Sequence, residues 1–186
     1  LTGGMEPITM LGTFSLERPL GTVEVEDDGS AHFKVPANRA LSFTALDADG
    51  KAIKKMQSFV NFMPGTVTSC IGCHERRDMA PPPIMHKLKA LRRPADKIAP
   101  IPGANCGEVP DFARDIQPIL TKYCAECHNP EKFAAKIDLT PGMGPMFARS
   151  YYALYMARQL SDGLNRNGNM PPYSFGSGSS GLLKKL

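Results

Sequence analysis

Tryptophan is absent from this chain, histidine occurs four times in 186 residues, and aromatic residues make up only 8%. A chain so short of large apolar side chains builds a thin core unless something else fills it. Long hydrophobic runs are missing too. None approaches the ~18 residues a membrane-spanning helix needs, which excludes a helical span. Charge of one sign is also lacking. Lys and Arg number 22 against 18 Asp and Glu, a net +4. The local peak over residues 76–93 falls short of a nucleic-acid-binding surface. Cysteine is sparse and odd in number, at five, which argues against a pure disulfide framework.

What is plentiful is glycine and proline, 17 of each. With 42% hydrophobic and 22% charged residues the composition is globular, and the length suits one ordinary domain or two small ones. The chain begins at Leu1 and ends in "GLLKKL", an amphipathic pattern too short for a helix. The expectation is a piece of a longer polypeptide, with N-terminal and C-terminal parts missing.

From Leu20 to about Gly65 apolar and polar residues alternate between turn signals. Val23 and Val25, then Phe33 and Val35, then Leu41, Phe43 and Ala45 hold the period, broken at "DDGS", "PANR" and "DADG". Strands about ten residues apart predict a small antiparallel sandwich. Residues 75–110 carry Pro81, Pro82, Pro83, Pro94, Pro100, Pro102 and Pro110 and read as a linker with a short helix over 84–91. From Asp111 the period turns helical. Phe112, Ile116, Ile119, Leu120 and Tyr123 share a face, and Asp115 as N-cap would put Pro118 in the first turn, where its missing N–H is harmless. A second helix is predicted over 147–160, with Phe147, Tyr151, Leu154 and Tyr155 inward, followed by a polar loop over 161–180.

The chemistry is concentrated in two short motifs. Cys70-Ile-Gly-Cys73-His74 and Cys124-Ala-Glu-Cys127-His128 each place two thiols three positions apart, with an imidazole directly after the second. That spacing lets the thiols form thioethers with the two vinyl groups of one haem while the histidine lies under the iron as its proximal ligand. Two such motifs are far beyond chance in a chain with five cysteines and four histidines. A zinc site is the first alternative. Zinc knuckles leave ~15–20 residues between pairs, whereas residues 74–123 intervene here, and zinc gives no reason for a histidine after both pairs. A thioredoxin-like redox pair would open a helix, and the second pair closes one. Two structural disulfides are the remaining alternative. The expected cofactors are two covalently attached haem c. Haem c is attached outside the cytoplasm, so the expected location is periplasmic or otherwise extracytoplasmic.

At these residues a resemblance enters. "LGTVEVEDDGSAHFKVPANRALSFTALDADGKAIKKMQSFVNFMPGTVTSCIGCHERR" resembles the middle domain of the hydrazine synthase alpha subunit and of related bacterial proteins. "DFARDIQPILTKYCAECHNPEKFAAKIDLT", with "RSYYALY" and "PPYSFGSGSSGLLKKL", resembles the cytochrome c module of planctomycete proteins. The resemblance implies an upstream β-propeller and a continuation beyond Leu186 that includes a histidine as distal ligand of the second haem. It also implies that the serine- and glycine-rich "SFGSGSSG" is a native loop. One departure matters. The family's active-site haem uses a tyrosine soon after its motif, whereas Asp78 and Met79 stand there and no tyrosine lies between His74 and Tyr123. What carries over is architecture, not hydrazine chemistry.

The fold expected is mixed, β then α. A small antiparallel β-sandwich over 1–74 ends in the first motif, a Pro-rich linker covers 75–110, and an incomplete helical cytochrome c-like domain covers 111–186. Candidate sixth ligands are Met79, Met85 and His86 for the first haem and Met170 for the second, with His32 a weaker candidate on a strand. Arg76, Arg77, Arg92 and Arg93 are either propionate partners or a solvated basic stretch. Cys106 lies in a loop without a nearby histidine. Tyr151, Tyr152 and Tyr155 read as core, and Asp27, Asp28, Asp47 and Asp49 as turn residues rather than calcium ligands. The function expected is electron transfer by a dihaem c-type cytochrome working with redox partner proteins. The alternatives are a catalytic haem oxidoreductase, with an open first haem acting on a small nitrogen or oxygen compound, and a zinc or disulfide scaffold.

Overall fold

The computed structural model describes residues 16–56, 58–71, 87–103, 106–161 and 170–186. The architecture is mixed, with small antiparallel sheets and a few short helices. Two compact units are present, a β unit drawn from Pro19–Glu108 and Leu164–Ser174, and a helical unit drawn from Val109–Gly163 and Phe175–Leu186.

In the β unit β1 (Ala40–Leu41) pairs antiparallel with β4 (Val60–Asn61), and β2 (Thr44–Leu46) pairs with β3 (Ala52–Lys55). The β2–β3 turn is made by Asp47, whose side chain accepts from the N–H groups of Asp49 at 3.0 Å and Lys51 at 2.8 Å. Gly50 takes the left-handed conformation there, φ +75°. Phe43 lies between Phe33 and Phe62, with ring centroids 5.6 and 6.4 Å away. The expected sandwich is thus two two-stranded ladders among the described residues.

The early strands differ from expectation for a physical reason. Thr22 and Phe33 form only isolated bridges, to Ala99 and Asp96 of the Pro-rich stretch. Pro94 and Pro100 bracket that partner segment. Proline has no N–H, so the pairing cannot spread into a ladder. Asp96 N–H donates to His32 O at 2.8 Å, and Ala99 N–H to Thr22 O at 2.9 Å. Gly21 permits the close approach, because a Cβ there would collide with Ala99 O.

Residues 87–103, expected as linker, are held along the β unit. Asp28 Oδ2 accepts from Lys89 N–H at 2.8 Å, and Ser30 Oγ accepts from Ala90 N–H at 3.1 Å. A single 3₁₀ turn, Lys89–Arg92, buries Ala90. Lys89 pairs with Asp27 at 2.5 Å, and Arg93 pairs with Glu26 and Asp96. The Ser30 hydroxyl first, then the Lys89 N–H, hold the Asp28 carboxyl at about 2 from 3.8. The folded carboxyl gives up its proton more readily than the unfolded one, so its stabilisation is full above the unfolded value and is lost as pH falls from 3.8 through about 2. The melting temperature of the β unit is expected to fall over that window, and Asp28→Asn to flatten the fall in a pH series of thermal melts.

The helical unit starts earlier than predicted. Asp111, not Asp115, is the cap. Its side chain accepts from Arg114 N–H at 2.7 Å, while Asp115 Oδ2 accepts from Asp111 N–H at 2.8 Å. A wide π turn over Phe112–Ile116 follows, in which Gln117 N–H reaches back to Phe112 O. It hands over to α1 (Gln117–Tyr123) where Pro118 has no N–H to give. α2 (Arg149–Met156) is shorter than predicted. Arg158 turns left-handed, φ +54°, and Gln159 N–H bonds Leu154 O at 2.9 Å while Arg158 N–H bonds Tyr155 O, a Schellman stop.

The core joins Leu120, Leu139 and Leu154, with Phe112, Cys124, Ile137, Leu160 and Leu182 against it. Tyr151 packs on Phe112 and Phe147, at 5.1 and 5.7 Å between ring centroids. The buried face of α1 is Gln117 and Leu120, leaving Ile116, Ile119 and Tyr123 exposed. Gln117 bridges three elements, donating to Leu139 O at 3.0 Å and Thr121 Oγ1 at 3.2 Å and accepting from Ser150 Oγ. The polar loop expected over 161–180 is ordered at its end. Phe175 is buried, Gly176–Ser179 forms one helical turn (α3), and Ser180 Oγ donates to Gln159 O at 3.0 Å.

Candidate functional site

The second motif sits where α1 runs out. Cys124 and Ala125 N–H groups both bond Leu120 O at 2.9 Å, so the helix unwinds as the first thiol is presented. Cys127 and His128 N–H groups then return to Cys124 O at 3.1 and 3.0 Å, closing the motif into a turn. Asn129 clasps it from outside. Its Nδ2 donates to Ala125 O at 3.0 Å and Glu126 O at 2.9 Å, and its Oδ1 accepts from Glu131 and Lys132 N–H groups at 3.0 and 2.9 Å. Leu139 N–H donates to His128 O at 2.8 Å, which sets Ile137–Thr140 beside the motif. Neither Asn129 nor Gln117 was singled out from the sequence. The signal for Gln117 was its place three residues before Leu120, on the same helical face.

The returning loop is strained. Phe133, Ala135 and Lys136 all take positive φ, +42°, +51° and +60°. That conformation costs a non-glycine residue about 1–2 kcal/mol. Ala135→Gly is therefore expected to stabilise the helical unit by about 1 kcal/mol, read as a higher denaturant midpoint.

Cys124 is half-buried and Cys127 exposed, and both are free thiols. His128 is half-buried, and its Nδ1 lies in the interior with no hydrogen-bond partner among the described residues. An unmet buried polar atom costs about 1–3 kcal/mol. Two thiols and an imidazole thus stand on one turn. Ile116, Ile119, Tyr123, Phe133, Met143, Met146, Tyr152 and Met156 of the same unit are exposed.

Of the first motif Cys70 is described, an exposed free thiol. The chain leading to it exposes Phe59, Met63 and Val67, with Val67 at 93%, and Ile71 within the motif is exposed too. Cys73, His74, Met79, Met85, His86, Arg76 and Arg77 lie outside the described residues. Met170 belongs to the β unit, where its carbonyl accepts from Lys54 Nζ at 2.5 Å. Nearby, Tyr173 N–H bonds Ile53 O at 3.4 Å. His32 is half-buried rather than exposed, and its Nδ1 is buried without a partner among the described residues. Arg93 is taken up by Glu26 and Asp96, and Arg92 is exposed. Cys106 Sγ accepts from Ile101 N–H at 3.1 Å. Among the described residues no three His, Cys, Asp or Glu side chains gather as a metal-ion site, and no helix is long and apolar enough to cross a membrane.

Residues 6–75 match the family model described as the hydrazine synthase alpha subunit middle domain, a stretch that contains the whole first motif. No curated protein and no solved structure matches the chain.

Proposed function

We propose that the chain is a dihaem c-type electron-transfer module of a larger extracytoplasmic polypeptide, serving redox partner proteins. Haem c is held through Cys70 and Cys73 and through Cys124 and Cys127, with His74 and His128 as proximal ligands. On this reading the helical unit is a cytochrome c-like domain. The observation that carries it is the second motif, where two free thiols and a half-buried imidazole stand on one closed turn at the end of a helix. The exposed apolar residues of the helical unit and its core of three buried leucines also support a large apolar group as the missing packing.

Bound haem would supply a one-electron couple, tuned by its axial ligands and by burial. The protein's own residues do the rest. Cys124 anchors beside the core, Cys127 anchors from the solvent side, Asn129 holds the turn, and the 133–139 loop places His128. In a host that matures haem c, the reduced pyridine spectrum should report two haems per chain. A chain without visible absorbance would return the motifs to zinc or disulfide scaffolding.

A second reading is favoured by the family match, which covers the first motif and names an enzyme subunit. In it the first haem has an open position that takes a small nitrogen or oxygen compound, and the second relays electrons. Carbon monoxide separates the two readings. A spectral shift at the first haem of the full-length protein supports catalysis, and its absence supports transfer alone.

A further inference from the structure

We propose that Gln117 is the positioning residue for His128, the proximal ligand of the second haem, an inference that rests on the haem reading above. A ligating histidine is ordinarily steadied through its second ring nitrogen, which donates to a carboxylate or a carbonyl. The Nδ1 of His128 has no such partner among the described residues. Placement of the ring therefore falls to the backbone that carries it. That backbone is held at two points. His128 N–H donates to Cys124 O at 3.0 Å, inside the motif, and His128 O accepts from Leu139 N–H at 2.8 Å, from outside it.

The outside point is only as firm as Leu139. This residue is buried, and its own carbonyl accepts from Gln117 Nε2 at 3.0 Å. Leu139 is thus tied through its N–H to the ligand and through its C=O to α1. The Gln117 amide is fixed in turn. A carbonyl can only accept, so the amide nitrogen faces Leu139, and the amide oxygen accepts from Ser150 Oγ of α2. The second amide proton goes to Thr121 Oγ1, 3.2 Å away on the same helix. Gln117 and Ser150 are both buried, so little water competes for these bonds. α1 also delivers the first thiol, since Cys124 N–H bonds Leu120 O at 2.9 Å. Gln117 therefore references the backbone of the ligand to the helix that presents Cys124. A leucine or methionine at 117 would fill the space but leave Leu139 O without its donor. That is a physical reason for a buried amide beside Leu120 in the core.

The test is potentiometric titration of both haems in the holoprotein, with thermal melts alongside, comparing Q117M and S150A. The second haem is identified in a C70A/C73A chain, which keeps it alone. An imidazole that donates less well to the iron stabilises the oxidised form less. Q117M is expected to raise the reduced-to-oxidised ratio of the second haem about threefold at fixed ambient potential, a rise of about 28 mV. S150A cuts the α2 end of the network and keeps the bond to Leu139. It is expected to lower the melting temperature and leave the potential in place. The first haem should not move in either. Q117N, whose amide is one methylene too short for Leu139 O, should raise the potential too, and it serves if Q117M does not fold. A lower melting temperature with an unmoved potential in the Gln117 variants would overturn the proposal and leave Gln117 as a core residue alone. An equal shift in S150A, or in the first haem, would overturn it as well, since general loosening would then account for the change. A wild-type chain without a second haem would show in the absorbance before any titration, and would overturn the haem reading itself.

Discussion

A chain in which Cys124 and Cys127 are both replaced by alanine is expected to emerge from maturation with one haem instead of two, and with its helical unit melting far below the parent. Both effects have the same cause. The thiols are the only covalent anchors the second motif offers, and Cys124 also packs against the Leu120, Leu139 and Leu154 cluster. The single variants separate anchoring from packing. Cys127 is exposed, so Cys127→Ala removes an anchor and little else, whereas Cys124→Ala removes an anchor and part of the core. Haem absorbance per chain, read beside circular dichroism melts, distinguishes them. A double variant that kept both haems would break the assignment of the second motif.

Leu154→Ala is the second large effect. Leu154 is 2% exposed and packs in a core whose other buried leucines among the described residues are Leu120 and Leu139. Truncating a buried leucine costs about 2–5 kcal/mol, and a site with few neighbours to collapse inward falls in the upper half of that range. Small domains hold about 5–15 kcal/mol in total, so the helical unit should unfold at a much lower denaturant concentration. Lys136→Ala, exposed on the returning loop, should shift the midpoint far less.

The legible parts of this molecule were the local ones. The turn at Asp47–Gly50 and the Cys-x-x-Cys-His pairs are spelled by adjacent residues, and the structure has a left-handed glycine at the former and a closed turn at Cys124–His128. The helix that delivers the second motif was also readable, because Leu120 and its neighbours hold a helical period. Its start was not. A π turn shifts the phase by one residue, so Gln117 faces inward where periodicity favoured Ile116 and Ile119. The β unit was harder still. Alternation suggested strands at Val23–Val25 and Phe33–Val35, but strands need partners, and their partner is a proline-bracketed segment more than sixty residues later that can offer only bridges. The same segment looked like a linker because prolines dominate its composition, while its anchors, Asp28 and Ser30, lie in a turn that sequence reads as solvent-facing.

The most direct test of the central claim is the intact mass of the denatured, acid-extracted chain, expressed in a host that matures haem c. Two covalent haems should appear as a mass gain of two haem units that survives extraction. A chain at its bare polypeptide mass would contradict the account, and would leave the two motifs as thiol pairs for zinc or for disulfides.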